Sequence, residues 1–198
     1  MTAARYVLAA PATLTREIRK SRFVVHAASV ASPADALAFI AAVADADATH
    51  NCWAYRIGQQ YRFSDAGEPA GTAGKPILQA IDAQHCDHTI AVVTRWFGGI
   101  KLGTGGLARA YCGCAAECLR LAAKTELIEL ATVEFTLPFS AVPILHARLA
   151  EFAATKLGER FDIGGVDLRL VLPAHRVTEL RAMLADMTRG RSVLQVID

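Results

Sequence analysis

Residues 89–111 read TIAVVTRWFGGIKLGTGGLARAY. Thr89–Thr94 is an unbroken apolar and β-branched run, the composition of a buried strand. From about Thr104 to Lys124, Leu107, Ala110, Tyr111, Cys114, Cys118 and Leu121 recur at helical spacing, which predicts a long amphipathic helix. Between strand and helix stand Gly98, Gly99, Gly103, Gly105 and Gly106, with the cations Arg95, Lys101 and Arg109 around them. Glycine weakens regular structure, so its density here needs a cause. A helix N-terminus leaves backbone N–H groups unpaired at the positive end of the macrodipole, and glycines let a ligand approach them closely. The segment therefore has the make-up of an anion site, with Arg95, Lys101 and Arg109 as reinforcing cations.

A second glycine-rich segment, residues 64–76, reads SDAGEPAGTAGKP and runs into a helix opened by Pro76. Lys75 adds a cation. Asp65, Gly67, Glu68, Gly71 and Gly74 are the residues expected to organise this loop, the carboxylates by accepting its N–H groups. Asp65 and Glu68, with His50, are also the acid–base candidates, because a carboxylate near a histidine can move a proton. Neither loop is a standard nucleotide motif. Pro69 occupies the first glycine position of a Walker A loop ending at Gly74-Lys75, and Pro76 follows the lysine. Gly103-Thr104-Gly105-Gly106-Leu107-Ala108 matches the dinucleotide fingerprint literally, but the chain after it does not continue as βαβ units.

Composition narrows the class further. The 198 residues are 53% hydrophobic and 20% charged, enough apolar content for a buried core and far from the disordered range. No apolar run approaches the ~20 residues of a membrane span. The stretch Met1–Phe23 turns charged too early for a signal peptide, so a cytoplasmic protein is expected. The five cysteines, at 52, 86, 112, 114 and 118, form no C-x-x-C pair, which argues for free thiols and against zinc. The formal net charge of +2 hides an asymmetry: residues 1–125 carry 13 Lys and Arg against 9 Asp and Glu, residues 126–198 carry 8 against 10. A basic first part is compatible with a polyanion partner.

The remaining pattern divides the chain in two. Val7–Ala9 reads as a short strand, and residues 15–27 as a basic turn leading into an edge strand. Ser32-Pro33 caps and opens a helix whose packed face is Leu37, Ile40 and Val43. Cys52–Ile57 and Tyr61–Phe63 alternate as a hairpin. From about Glu126 a new unit begins: a strand at Val133–Leu137, a helix over Val142–Leu157, strands at Arg160–Ile163 and Val166–Leu172, a helix from Pro173 to Met187 and a strand at Ser192–Ile197. The order β-α-β-β-α-β is the ferredoxin-like pattern.

Three blocks, ATHNCWAYRIG, SDAGEPAGTAGKPIL and VVTRWFGGIKLGTGGLARAY, together with Lys20–Phe23 (KSRF), resemble the signature of the YigZ/IMPACT family. One position departs: the family's loop usually reads S-D-D-G-E-P, and Ala66 replaces the second aspartate. The resemblance implies an α+β fold of two domains. Residues 1–127 would form an Impact-type domain with the left-handed βαβ superfold of elongation factor G domain IV, the RNase P protein and GHMP kinases. Residues 128–198 would form a ferredoxin-like domain similar to domain V of that factor. It also implies a link to regulation of translation, with RNA, the ribosome or another phosphate-bearing ligand held by Lys75, Arg95, Gly98, Gly99, Lys101, Gly103, Gly105, Gly106 and Arg109. No metal and no cofactor is expected. An enzyme acting on a phosphorylated small molecule, and a protein-docking module with Arg109 paired to Asp65 or Glu68, stay open as alternatives.

Overall fold

In the computed structural model, which describes residues 4–197, the chain divides into two compact units, Met1–Leu127 and Ile128–Asp198. The first contains β1 (Tyr6–Leu8), β2 (Ala12–Ile18), β3 (Ser21–Ser29), α1 (Pro33–Val43), β4 (His50–Ile57), β5 (Gln60–Ser64), α2 (Gly74–Ala83), β6 (Thr89–Trp96), α3 (Thr104–Leu121) and β7 (Lys124–Glu126). Five strands form one antiparallel sheet in the order β2-β3-β6-β4-β5, and β1 pairs separately with β7.

Alternation decides which residues face which layer. Phe23, Val25, Cys52, Ala54, Ala91 and Val93 point to the face covered by α2 and α3, where they meet Ile77, Ile81, Leu107, Tyr111 and Leu119. Ala28, Tyr55, Ile90 and Val92 point to the other face, under α1. β6 is thus covered on both sides, which is why its sequence is a continuous apolar run. Two expectations are corrected. β3 is an interior strand between β2 and β6, and the edge belongs to β2; Phe23, Val25 and Ala27 are too deeply buried for an edge. Leu37 is 49% exposed, because the stripe of α1 that meets the sheet is Ala36, Phe39, Ile40 and Val43. The start of α1 forms as read: Ser32 Oγ accepts from the Asp35 N–H at 3.2 Å, with Pro33 at the first position.

Asp87 ties the far end of this unit together. Its carboxylate accepts from Arg5 Nη1 at 2.6 Å and from the Gly58 and His88 N–H groups at 2.7 Å each. Burial alone would raise its pKa, but these donors outweigh it and hold the carboxyl below its ordinary value.

The second unit contains β8 (Leu130–Leu137), α4 (Val142–Arg148), β9 (Thr155–Asp162), β10 (Gly165–Pro173), α5 (Val177–Thr188) and β11 (Gln195–Ile197). Its antiparallel sheet runs β11-β8-β10-β9, the fourth-first-third-second order of a ferredoxin-like unit. Val133, Phe135, Leu168 and Leu170 pack with Leu145, Leu180 and Leu184. The first helix is shorter than its apolar residues suggested. It ends at Arg148, a 3-10 turn follows, and Ala153 turns left-handed at φ 49° to start β9 at Thr155.

Because the Asp87 carboxyl is held below the unfolded value, its contribution is fully present above about pH 4 and is lost as pH falls through the folded pKa. Asp87→Asn is expected to be less stable than the wild type at neutral pH. The two proteins should converge in acid, as read by urea unfolding from neutral pH down to pH 3. Equal differences at every pH would refute the assignment.

Candidate functional site

Strand register brings both glycine loops to one end of the five-stranded sheet. His50 pairs with Arg95, Trp53 with Ser64, and Arg22 with Trp96, so the start of β4 and the ends of β5 and β6 are neighbours. The loop after β5 enters α2, the loop after β6 enters α3, and α2 packs on α3. Both helices therefore begin beside the same sheet end.

What joins the loops is an ion pair. Glu68 Oε1 accepts from Arg95 Nη1 at 2.6 Å and from Tyr111 Oη at 2.7 Å, with the two charged side chains only 3% and 6% exposed. Arg95 Nη2 reaches Ser21 Oγ at 3.3 Å. Its Nε has no hydrogen-bond partner. The guanidinium instead lies between two aromatic rings, 5.6 Å from the Phe23 centroid and 5.5 Å from that of Phe97. Cation–π contact supplies part of what the missing hydrogen bond does not. Arg95 was expected to contact phosphate; the structure commits its guanidinium to Glu68, and burial removes it from the surface. Ala91, Val93 and Arg95 share one face of β6, so the alternation that buries the first two buries the third. Arg109 was the cation considered for internal pairing. It is exposed and forms no ion pair among the described residues.

Asp65 has a structural task. Its carboxylate accepts from the N–H groups of Gly71 at 2.8 Å, Ala73 at 2.9 Å and Gly74 at 2.8 Å. It caps α2 from outside, and Ala73 itself offers no side-chain cap. Burial opposes ionisation, but the three donors prevail and keep the Asp65 carboxyl below its ordinary range. The anion site at the start of α2 is thus filled by the protein's own carboxylate. The start of α3 differs: Gly103, at φ 73°, is the cap residue, and no side chain caps the first turn among the described residues. Gly99, Gly103 and Gly105 are exposed there, as are Lys75, Lys101 and Arg109. None of these three cations has an ion-pair partner among the described residues.

Two glycines are explained by space alone. A Cβ on Gly98 would overlap the Lys20 carbonyl of the β2–β3 turn, and one on Gly74 would stand 2.7 Å from the Ser64 backbone. Part of the glycine density therefore serves packing between chain segments.

Of the acid–base candidates, the structure brings His50 and Glu68 together. His50 Nδ1 donates to the Ala66 carbonyl at 2.9 Å, which leaves Nε2 facing Glu68 Oε2 at 3.8 Å. The His50 ring also packs under Gly67, whose hypothetical Cβ would lie 3.3 Å from it. Ala66, the departure from the family pattern, sits at φ 44° and contributes only its backbone. Cys52, expected as a free thiol in a strand, donates to the Asp65 carbonyl at 3.0 Å. Burial pushes its thiol up to about 12, so it stays protonated and unreactive at neutral pH. No group of three or more His, Cys, Asp and Glu is placed to hold a metal among the described residues. A groove of about 740 Å³ lies on the second unit's sheet, but its charges are used internally: Arg160 pairs with Asp167 at 2.9 Å and Arg169 pairs with Glu134.

A profile of the Impact N-terminal domain matches residues 19–119. The IMPACT family member in the pol 5′ region of Thermus thermophilus is 48% identical over 180 residues, covering 88% of this chain and 97% of its own. The Escherichia coli IMPACT family member YigZ is 38% identical over 197 residues, covering 96% of each chain. A crystal structure titled only as a hypothetical protein superposes at a TM-score of 0.66 with 36% identity, over 100% of this chain and 99% of that one. Human Protein IMPACT is 33% identical over 93 residues, 43% of this chain and 29% of its own. This chain belongs to the IMPACT family. No helix among the described residues is long and apolar enough to cross a membrane.

Glu68→Gln leaves the buried Arg95 charge without its counter-ion and is expected to cost about 3–5 kcal/mol in urea unfolding. The double variant Glu68→Gln with Arg95→Gln should lose less than the two single losses combined. Strict additivity would show that the pair does not hold the two loops together.

Proposed function

We propose that this protein is a cytoplasmic binding protein that holds the phosphates of RNA, free or within the ribosome, at the open start of α3, and through it takes part in regulating translation. The observation that carries the reading is the contrast between the two helix starts. Asp65 fills the first, whereas the second keeps its N–H groups, its glycines and its nearby cations free among the described residues. Lys75, Lys101 and Arg109 supply the charge. Arg95 acts from below by fixing Glu68, and with it the first loop, against the second. Such contacts read no sequence and weaken as salt rises.

The acid–base alternative keeps a narrower basis. Asp65 and Glu68 are both occupied by structural partners, so the proton-moving candidate left is His50, whose side chain is 18% exposed.

The test is fluorescence polarisation of labelled RNA titrated over salt, with the wild type and the variant Lys75→Ala/Lys101→Ala/Arg109→Ala. Arg95 stays intact, because its removal would strand Glu68. The variant should remain folded and bind at least tenfold more weakly. The slope of log affinity against log salt should fall by about 2, at about 0.7 for each phosphate contact with a single strand. Unchanged affinity and slope in a folded variant would refute the site.

A further inference from the structure

Four features of the same sheet end are not needed to hold a lone phosphate. Phe97 is 45% exposed and Ile100 is 41% exposed, both within the glycine loop. The Phe97 ring has one backed face: Arg95, itself held by Glu68 and Ser21, lies 5.5 Å from its centroid. Arg22 stacks on Trp96 at 3.8 Å, across the pairing of β3 with β6. Lastly, the β2–β3 turn consists of Arg19 and Lys20, at φ 49° and 66°. This is the two-residue hairpin turn in which Asn-Gly ordinarily sits, and a side chain in that conformation costs roughly 1–2 kcal/mol. Two cations occupy it, and the Lys20 backbone packs directly on Gly98. Arg19, Lys20, Arg22 and Lys101 are exposed and form no ion pair among the described residues.

A half-exposed aromatic ring backed by a buried cation, on a loop and hairpin tip that carry unpaired cations, is the arrangement that takes a nucleic-acid base on its face and the adjoining phosphates nearby. A duplex keeps its bases stacked inside and offers no such face. A small phosphorylated metabolite would leave the hairpin tip unused. We propose that the ligand of this surface is single-stranded nucleic acid, with one base stacked on Phe97 and flanking phosphates on Arg19 and Lys20 on one side and Lys101 on the other. The proposal rests on the phosphate-binding reading above and specifies its ligand. Stacking supplies the preference for single strands, and the cations supply salt-dependent affinity that is blind to sequence.

The experiment compares three labelled probes of about 12 nucleotides, within the site size of such surfaces: a single-stranded RNA, its duplex, and a strand of the same length with abasic positions that keeps every phosphate. The expected order is single strand over abasic strand and duplex. Phe97→Ala should weaken single-strand binding roughly ten- to hundredfold and leave the abasic strand unaffected, while Phe97→Trp should restore it. Arg19→Asn/Lys20→Gly, which suits the turn and cannot be dismissed as misfolded, should lower both affinity and salt slope. If duplex, abasic and single strand bind alike and Phe97→Ala changes nothing, while Lys75→Ala/Lys101→Ala/Arg109→Ala still weakens binding, the stacking inference is overturned and the phosphate site stands. If the wild type binds none of the probes at low salt, both fall.

Discussion

The buried pair between Glu68 and Arg95 is the constraint on which the rest of the first unit depends. Glu68 comes from the loop before α2, Arg95 from the end of β6, and Tyr111 closes the set from the third turn of α3. One carboxylate therefore ties the first loop to the end of β6 and to α3 at a single sheet end. Removing both charges from water is costly, and their attraction compensates only when geometry and additional hydrogen bonds are good. Losing either partner would strand the other charge in the interior, so the pair constrains where the first loop sits against β6 and α3.

That view separates the cations into two kinds. Arg95 is an internal positioning residue whose charge is consumed by the fold. Lys75, Lys101 and Arg109 remain at the surface. The carboxylates divide in the same way. Asp65 serves as a resident anion for α2, and Glu68 as a tether between the first loop, β6 and α3. The exposed cations are spread over the start of α2, the second loop and the first turns of α3, and Gly74 and Gly98 allow the close backbone approaches at this sheet end.

Much of this was legible in the sequence, for local reasons. The apolar run Thr89–Thr94 announced a buried strand, Ser32-Pro33 announced a capped helix, and the second unit's β-α-β-β-α-β order was readable from alternation and turns. The family blocks were readable too, and the comparisons bear the family out. The errors arose where tertiary context overrides local pattern. The residues from Thr15 to Ala27 looked like an edge because Arg16, Arg19, Lys20 and Arg22 crowd their start, yet the buried half of β3 lies further on. The apolar tail past Arg148 looked helical, but the left-handed Ala153 turns the chain into β9. Arg95 was misassigned although its signal was present, since it continues the inward alternation of Ala91 and Val93. Tyr111 could be read only as a packing residue, because nothing in one sequence reveals that its hydroxyl meets a carboxylate 43 positions away.

The Arg19–Lys20 turn has a consequence for how this protein would respond to selection. Its backbone conformation is one that most side chains resist, so the chain holds a small reserve of stability that is readily released by exchanging the pair for residues at ease in a left-handed turn. A laboratory screen rewarding heat tolerance alone would be drawn to these two positions early. The winners would be sturdier and less cationic where the hairpin meets the glycine loop, so durability and ligand capture would pull these two codons in opposite directions.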